Sequence, residues 1–245
     1  MLNVLIFAFI SLLIGYGLGA FPTGYIMGRL WGVDVRKHGS GRTGGTNVLR
    51  SAGWGAFTLT VLGDFFKGTV GVLLARWLFP DFHSSHAAAF FGAVVGHNWS
   101  IWIALIAKPD PNIKYAAPPL GWIQRVAHQG RGGAGTTTAV GSMLGLFPPI
   151  LLLAPIPLLV LFIWRYASLA SLSVGLLFPI GMLFFCLRGD TPWSYFILGL
   201  VAGTLMWLVH IPNIKKLLAG TERRFGDRLG QRKLSDSDSS LDVKP

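Results

Sequence analysis

Apolar runs of membrane length recur along the whole chain, separated by short basic segments rich in glycine. A helix needs about 20 apolar residues to cross a bilayer, and it satisfies its own backbone hydrogen bonds where lipid cannot. The sequence therefore predicts an all-α, polytopic membrane protein. The clear runs cover residues 2–30, 52–79, 86–107, 149–164, 168–187 and 193–210.

The composition supports this class. The chain of 245 residues is 52% hydrophobic and only 13% charged, whereas soluble domains carry about 25% charged residues. The net charge of +11 does not indicate nucleic-acid binding, because basic loops of a membrane protein mark its cytoplasmic side and face anionic headgroups. The single cysteine, Cys186, excludes an intramolecular disulfide. The first run lacks a basic leader, so we expect a true span and not a cleavable signal peptide.

The number of spans depends on a short apolar stretch at residues 136–147, which Pro148 and Pro149 follow. Since two adjacent prolines interrupt a helix, the chain either bends there within one span, giving six spans, or turns back, giving seven. With seven spans, 18 of the 21 Lys and Arg residues lie on one side. The positive-inside rule then favours seven transmembrane helices with the N-terminus outside and the C-terminus in the cytoplasm. Residues 136–147 are expected to form a partial helix.

One integral membrane domain is predicted over residues 1–226, followed by a polar tail. Residues 227–245 contain a run of serine and aspartate and show no apolar periodicity. Such a segment cannot bury enough apolar surface to order itself, so the tail is expected to be disordered.

The first basic segment, residues 38–50, combines glycine, hydroxyl and amide side chains with arginine. Glycine lets the backbone approach a phosphate closely, and the polar groups supply donors from several directions. A flexible loop on the positive side of the membrane would have the same composition. The candidate phosphate-binding residues here are Ser40, Gly41, Arg42, Gly44, Thr46, Asn47 and Arg50.

The second and third basic segments also follow or precede apolar runs. In the second, residues 130–138, glycines lead into a helix whose N-terminus would attract an anion, although a simple turn fits equally well. In the third, His210 and Asn213 are three residues apart and share one helix face, followed by Lys215 and Lys216. The candidates in the second segment are Arg131, Gly132, Gly133 and Gly135.

Two polar pairs fall within the apolar runs. Asp64 and Lys67 are three residues apart and are predicted to form an ion pair inside the bundle. His97 and Asn98 are placed midway along the third run. Both pairs are interpreted as structural links between helices in preference to substrate-binding groups.

At these residues the sequence resembles the PlsY family, the acyl-phosphate:glycerol-3-phosphate acyltransferases, over nearly its whole length. The family motif Ser-Gly-Asn-x-Gly-x-Thr-Asn…Arg is met at 40–47 and Arg50. Further similar stretches are Asp64-x-x-Lys67-Gly68, Gly96-His97-Asn98, Arg165-Tyr166-Ala-Ser168-Leu-Ala-Ser171 and His210-x-x-Asn213…Gly220-Thr-Glu222.

The chain departs from the family pattern in three places. Ala134 stands where the family's second motif, Lys-Gly-Gly-Lys-Gly-Val-Ala-Thr, has its second lysine, which removes a cationic donor. Arg42 stands where the family has asparagine, and we hypothesise that it restores a positive charge near the site. Residues 108–130 form a longer link than the family's, from which Lys108 or Lys114 is a candidate to reach the site.

The resemblance implies transfer of a fatty acyl group from an acyl phosphate to the 1-hydroxyl of glycerol 3-phosphate, giving lysophosphatidate and phosphate for phospholipid biosynthesis. It implies catalytic roles for Ser40 and His210, with the other candidates binding substrate. The expected location is the inner cell membrane, with the site facing the cytoplasm and membrane lipid and an upstream acyl-phosphate-forming enzyme as partners. Since no clustered metal ligands are visible, no metal or cofactor is expected.

Three alternatives stay open at this point. Charged residues within the spans would suit a transporter of an anionic solute, although its site would be expected near the midplane. Ala134 would suit a family member with impaired or lost activity. A lipid enzyme that uses a nucleotide-activated lipid would need clustered aspartates, which the chain lacks.

Overall fold

The computed structural model describes residues 1–108 and 112–227, and these are predominantly helical. Within this part of the chain there is no β-strand, only an isolated bridge between Trp99 and Arg131. The predicted all-α class is confirmed. The predicted disordered tail lies, except for its first residue, outside the described residues.

Eleven α-helices lie within the described residues. Two short 3₁₀ helices, Val35–Lys37 and Pro148–Leu153, connect them. The α-helices are α1 (Leu2–Gly19), α2 (Thr23–Leu30), α3 (Gly45–Leu78), α4 (His83–Asn98), α5 (Ile101–Ile106), α6 (Leu120–Gln129), α7 (Thr136–Leu146), α8 (Pro155–Trp164), α9 (Ala167–Leu187), α10 (Trp193–Val209) and α11 (Ile211–Leu218).

Three helical stretches are long and apolar enough to cross a membrane, namely Leu2–Leu30, Gly45–Leu78 and Ala167–Leu187. Helices α10 and α11 together make a fourth candidate, bent by 56° at His210. The seven-span topology and the sides on which the termini lie stay predictions.

The predicted run at residues 86–107 is broken in two. The run at 86–107 stops at Asn98 and resumes at Ile101, where the Ser100 hydroxyl caps α5 by accepting from the Ile103 N–H at 3.2 Å. His97 therefore lies at the C-terminal end of α4 and not midway along a span. As expected, α7 is a partial helix of 11 residues, about 16 Å long against a hydrocarbon core of about 30 Å.

Small residues allow the helices to approach one another closely. A Cβ placed on Gly15 or Gly19 of α1 would collide with the backbone of Ala89 or Ala93 of α4, and one on Gly141 of α7 would collide with the backbone of α3. Close backbone contact of this kind is what drives helix association where surrounding lipid is as apolar as the side chains. The first half of the bundle, α1, α3, α4 and α7, depends on these contacts.

The second half, α8 to α10, joins the first through a shared apolar core. Phe90 of α4 stacks on Phe178 of α9 with ring centroids 5.3 Å apart. A buried hydrogen bond of 2.9 Å between His86 and Tyr195 ties α4 to α10. The core residues are Val72, Phe90, Val94, Ala139, Met143, Leu146, Ile150, Phe178, Met182, Tyr195, Leu198, Ala202 and Met206.

We expect Gly141→Ala to destabilise the protein, because its Cβ would overlap the backbone of Phe65. Overpacking of this kind costs about 1–3 kcal/mol. Gly17→Ala is the matched control, since nothing lies within 4 Å of a Cβ built there. Thermal unfolding in detergent would show a lower midpoint for Gly141→Ala alone, and equal midpoints for both variants would contradict the packing argument.

Candidate functional site

The three basic segments meet at one cavity of about 1120 Å³. Of the thirteen predicted site residues, Gly41 and Gly132 do not line it. The eleven that do are Ser40, Arg42, Gly44, Thr46, Asn47, Arg50, Arg131, Gly133, Gly135, His210 and Asn213. The structure thus brings the predicted residues together, and their individual roles stay predictions.

The first segment is held in shape by the buried side chain of Asn47. Its Nδ2 group donates to the carbonyl oxygens of Val35, His38 and Arg42 at 2.9, 3.1 and 2.8 Å. Its Oδ1 atom accepts from the Ser40 N–H at 3.1 Å. Because the amide is fully engaged with the backbone, Asn47 shapes the loop that presents Ser40 to the cavity.

An ion pair fixes the beginning of the same loop. The carboxylate of Asp34 accepts from Nε and Nη2 of Arg36 at 2.9 and 2.8 Å, and this guanidinium lies 4.5 Å from the ring centroid of Tyr25. The Arg36 side chain lowers the pKa of Asp34 to about 2. The carboxylate therefore stays charged throughout the physiological pH range, and the loop keeps this anchor.

The second segment is fixed by the end of α4. The Gly132 N–H donates to the Asn98 carbonyl at 3.0 Å, and the Ser100 N–H donates to the Gly130 carbonyl at 2.8 Å. These bonds turn the Gly132 backbone towards α4, which is why it does not line the cavity. Gly133 lies against the His97 ring with no room for a side chain, and Gly135, at φ = 82°, starts α7 in the left-handed region.

A buried charged cluster stands behind the second segment. Lys67 Nζ lies 2.8 Å from Asp64 Oδ1 and also donates to the Phe21 carbonyl at 2.9 Å, while His97 Nδ1 lies 3.5 Å from the same carboxylate oxygen. The predicted Asp64–Lys67 ion pair is confirmed. Asp64 and His97 also line the cavity, which the sequence interpretation missed. The signal was present, since both residues lie in stretches that match the family.

The third segment contributes a buried histidine of defined orientation. The Nδ1 atom of His210 lies 2.7 Å from the Met206 carbonyl oxygen, to which it donates a hydrogen bond. Nε2 is therefore the ring nitrogen that can accept a proton. Glu222 accepts from Asn213 Nδ2 at 3.1 Å and from Ser168 Oγ at 3.3 Å. Glu222 therefore orients the Asn213 amide beside the cavity.

The residues after the third segment close one wall of the cavity. Phe225 packs against Trp54 and Phe57 of α3, with ring centroids 5.8 and 5.6 Å apart. Its N–H donates to the Arg165 carbonyl, between α8 and α9, and the Arg50 guanidinium donates to the Arg223 carbonyl at 3.3 Å. This closing segment, residues 221–225, was not among the predicted site residues apart from the motif match at Glu222.

One end of the cavity is strongly cationic. Arg42, Arg50, Arg131 and Lys216 line it, and within the described residues none of the three guanidinium groups has a carboxylate within 4.0 Å. Burial, followed by the charge of Arg131, lowers the pKa of Arg42. Of the two carboxylates that line the cavity in the described part of the chain, Asp64 pairs with Lys67, and Glu222 accepts from Asn213 and Ser168. The cations are therefore in excess and favour an anion at this end.

The rest of the cavity is apolar. It runs between α7, the 3₁₀ helix Pro148–Leu153, α8 and α9. The apolar residues that line it include Val140, Met143, Ile150, Leu151, Leu158, Leu161, Val174, Leu177 and Phe178. An anionic group and a long apolar chain can therefore lie in one continuous space.

The structure shows which of the residues that depart from the family pattern line the cavity. Ala134 and Arg42 both line the cavity, whereas Lys108 and Lys114 do not. The structure therefore favours Arg42 over the lysines of the longer link as the replacement for the missing motif charge.

Among residues 1–108 and 112–227 there is no group of three His, Cys, Asp or Glu side chains that could hold a metal ion.

Fold and cavity together define a helical membrane protein with a cavity that is cationic at one end and apolar at the other. The family model described as glycerol-3-phosphate acyltransferase matches residues 9–107 and 112–220. The chain belongs to this glycerol-3-phosphate acyltransferase family, the PlsY family, and is thus a multi-pass membrane acyltransferase of phospholipid biosynthesis.

Similar proteins agree over nearly the whole chain. A glycerol-3-phosphate acyltransferase of Rubrobacter xylanophilus is 38% identical, covering 89% of this chain and 95% of the relative, and one from Thermus thermophilus is 34% identical, covering 91% and 97%. The crystal structure of PlsY (YgiH), an integral membrane glycerol 3-phosphate acyltransferase, in its glycerol 3-phosphate form, is similar with a TM-score of 0.70 and 29% identity, covering 89% of this chain and 96% of that one. Its lysophosphatidic acid form gives a TM-score of 0.69. These comparisons give no support to the transporter or nucleotide-activated-lipid alternatives.

We expect Asn47→Asp to loosen the first segment, because a carboxylate cannot donate to the three carbonyl oxygens that the amide now holds. Leaving such buried groups unpaired costs about 1–3 kcal/mol. Hydrogen–deuterium exchange should accelerate roughly tenfold over residues 35–47. The exposed Asn3→Asp is the control, and unchanged exchange in Asn47→Asp would show that the amide does not hold the loop.

Proposed function

We propose that this protein transfers a fatty acyl group from an acyl phosphate to the 1-hydroxyl of glycerol 3-phosphate. The products are 1-acylglycerol 3-phosphate and inorganic phosphate. The observation that carries the proposal is the single cavity that joins a cationic end to an apolar compartment. The cationic end suits the phosphate groups of both substrates, and the apolar compartment suits the acyl chain.

The reaction needs no covalent enzyme intermediate. The hydroxyl oxygen of glycerol 3-phosphate attacks the carbonyl carbon of the mixed anhydride, the bond from that carbon to the phosphate oxygen breaks, and phosphate leaves with the electron pair. The hydroxyl proton passes to the departing phosphate, with His210 Nε2 as the protein alternative. Positioning and stabilisation of charge then supply the catalysis.

The residue roles follow the two substrates. Ser40 and the glycine backbone around it hold the acyl phosphate, on the loop that Asn47 shapes. Arg50 and Asn213 hold the phosphate of glycerol 3-phosphate, and His210 orients its hydroxyl. The Asn213–Glu222 hydrogen bond of 3.1 Å supports this assignment, because it leaves the amide in a fixed orientation beside the cavity.

The topology proposed with this function has seven spans and a cytoplasmic site. With six spans the third segment would lie on the opposite side of the membrane from the first two, so the meeting of all three at one cavity supports seven. The positive-inside rule puts the cavity on the cytoplasmic face of the inner cell membrane, with the N-terminus outside. On that face the cavity is accessible to soluble glycerol 3-phosphate and to an upstream enzyme that forms acyl phosphate.

Purified protein in detergent or lipid should release phosphate from palmitoyl phosphate only when glycerol 3-phosphate is present, and should form lysophosphatidate. Arg50→Ala should lower kcat/KM for glycerol 3-phosphate at least about tenfold, because a charge-assisted hydrogen bond is lost. Arg188→Ala is the control, since Arg188 is exposed and lies outside the cavity lining. Folded protein without acceptor-dependent release would point to a family member that has lost activity.

Arg42 is expected to supply the positive charge of the family motif's second lysine, whose position Ala134 occupies in this chain. Arg42→Asn should weaken substrate binding, raising KM roughly tenfold, and Ala134→Lys should restore it in the double variant. The two substitutions would then be strongly coupled in a double-mutant cycle. The exposed Arg188→Asn is the control for loss of an arginine outside the cavity lining. Independent, additive effects of the two substitutions would contradict this assignment.

A further inference from the structure

Three polar side chains of helix α6 form hydrogen bonds with the link that precedes the helix. Gln124 Oε1 accepts from the Ala116 N–H at 2.9 Å. Arg125 Nη2 donates to the Ala107 carbonyl at 2.6 Å, and Gln129 Nε2 donates to the Lys108 carbonyl at 2.7 Å. These three side chains tie the helix to the link that precedes it.

The apolar side of α6 faces outwards. Leu120, Trp122 and Ile123 are 54%, 41% and 64% exposed, and Ala127 is exposed as well. At 100° per residue Ile123 and Ala127 lie about 160° round the helix from Arg125, and Leu120 and Trp122 flank that arc. A helix on the surface of a soluble protein buries its apolar face, so the reversed orientation of α6 indicates an apolar medium outside it.

That medium is lipid, because the exposed apolar surface continues onto a neighbouring helix of the membrane domain. Helix α5 packs against α6 and presents Trp102, Leu105 and Ile106, which are 46%, 48% and 49% exposed. The guanidinium of Arg125 lies 5.1 Å from the ring centroid of Trp122. Tryptophan beside a cation is typical of the boundary between acyl chains and headgroups.

We propose that α6 is an interfacial helix that lies in the headgroup region of the bilayer with its apolar face inserted among the acyl chains. The helix ends at Gln129, and the second basic segment begins at the next residue. An anchor at this position holds the cationic end of the cavity at the level of the headgroups. This inference rests on membrane residence alone and does not depend on the proposed acyl donor.

A fluorescent probe on a single cysteine tests the orientation of the helix. In a Cys186→Ala background, Ile123→Cys is labelled and the full chain is placed in vesicles of phosphatidylcholine and phosphatidylglycerol. The probe at 123 should be quenched by nitroxide-labelled lipid and shielded from iodide in the water. His128→Cys is the matched control, because residue 128 is also exposed but lies about 140° further round the helix; its probe should show the reverse.

Two results would overturn the proposal. Equal access of iodide to both probes would place the helix in water. Shielding of the probe at 123 from both iodide and nitroxide lipid would show that protein, such as a second copy of the chain, covers the apolar face. Thermal unfolding of each labelled variant, compared with the parent, separates these results from a failure to fold.

Discussion

The close approach of α4 to its neighbours is the constraint on which the site depends. Gly15 and Gly19 let α1 come into backbone contact with α4, and the end of α4 lies beside the middle of α3. From there His97 reaches Asp64 on one side and Gly133 on the other. A side chain added at either kind of contact would displace α4, and with it the second segment and the cationic end of the cavity.

Charge inside the bundle is tolerated because it is balanced locally. Asp64 and Lys67 neutralise each other, and Lys67 also satisfies the Phe21 carbonyl at the break between α1 and α2. Burying either charge alone would be costly. The pair therefore links the break between α1 and α2 to the wall of the cavity. Lys67 bonds to the Phe21 carbonyl at that break, and Asp64, three residues earlier on α3, lines the cavity.

The sequence predicted the class, the ion pair and eleven of the residues that line the cavity, because these follow from composition, helical spacing and motif position. It could not predict the break at Trp99 and Ser100, since apolar residues continue on both sides of it and the break depends on Ser100 capping α5 and bonding to the Ala20 carbonyl. The sequence also could not predict that Gly132 lies outside the cavity lining while His97 forms part of it. Both outcomes depend on contacts between residues far apart in the chain, which periodicity does not encode.

The closing segment has a consequence for how the protein is made. The cavity wall begins at Gly39 and ends at Phe225, and the aromatic contact of Phe225 with Trp54 joins the last part of that wall to one of the first helices. Every helix must therefore be synthesised and inserted before the wall is complete. A nascent chain that has not reached Phe225 therefore lacks this part of the wall, and the cavity is complete only after translation has passed residue 225.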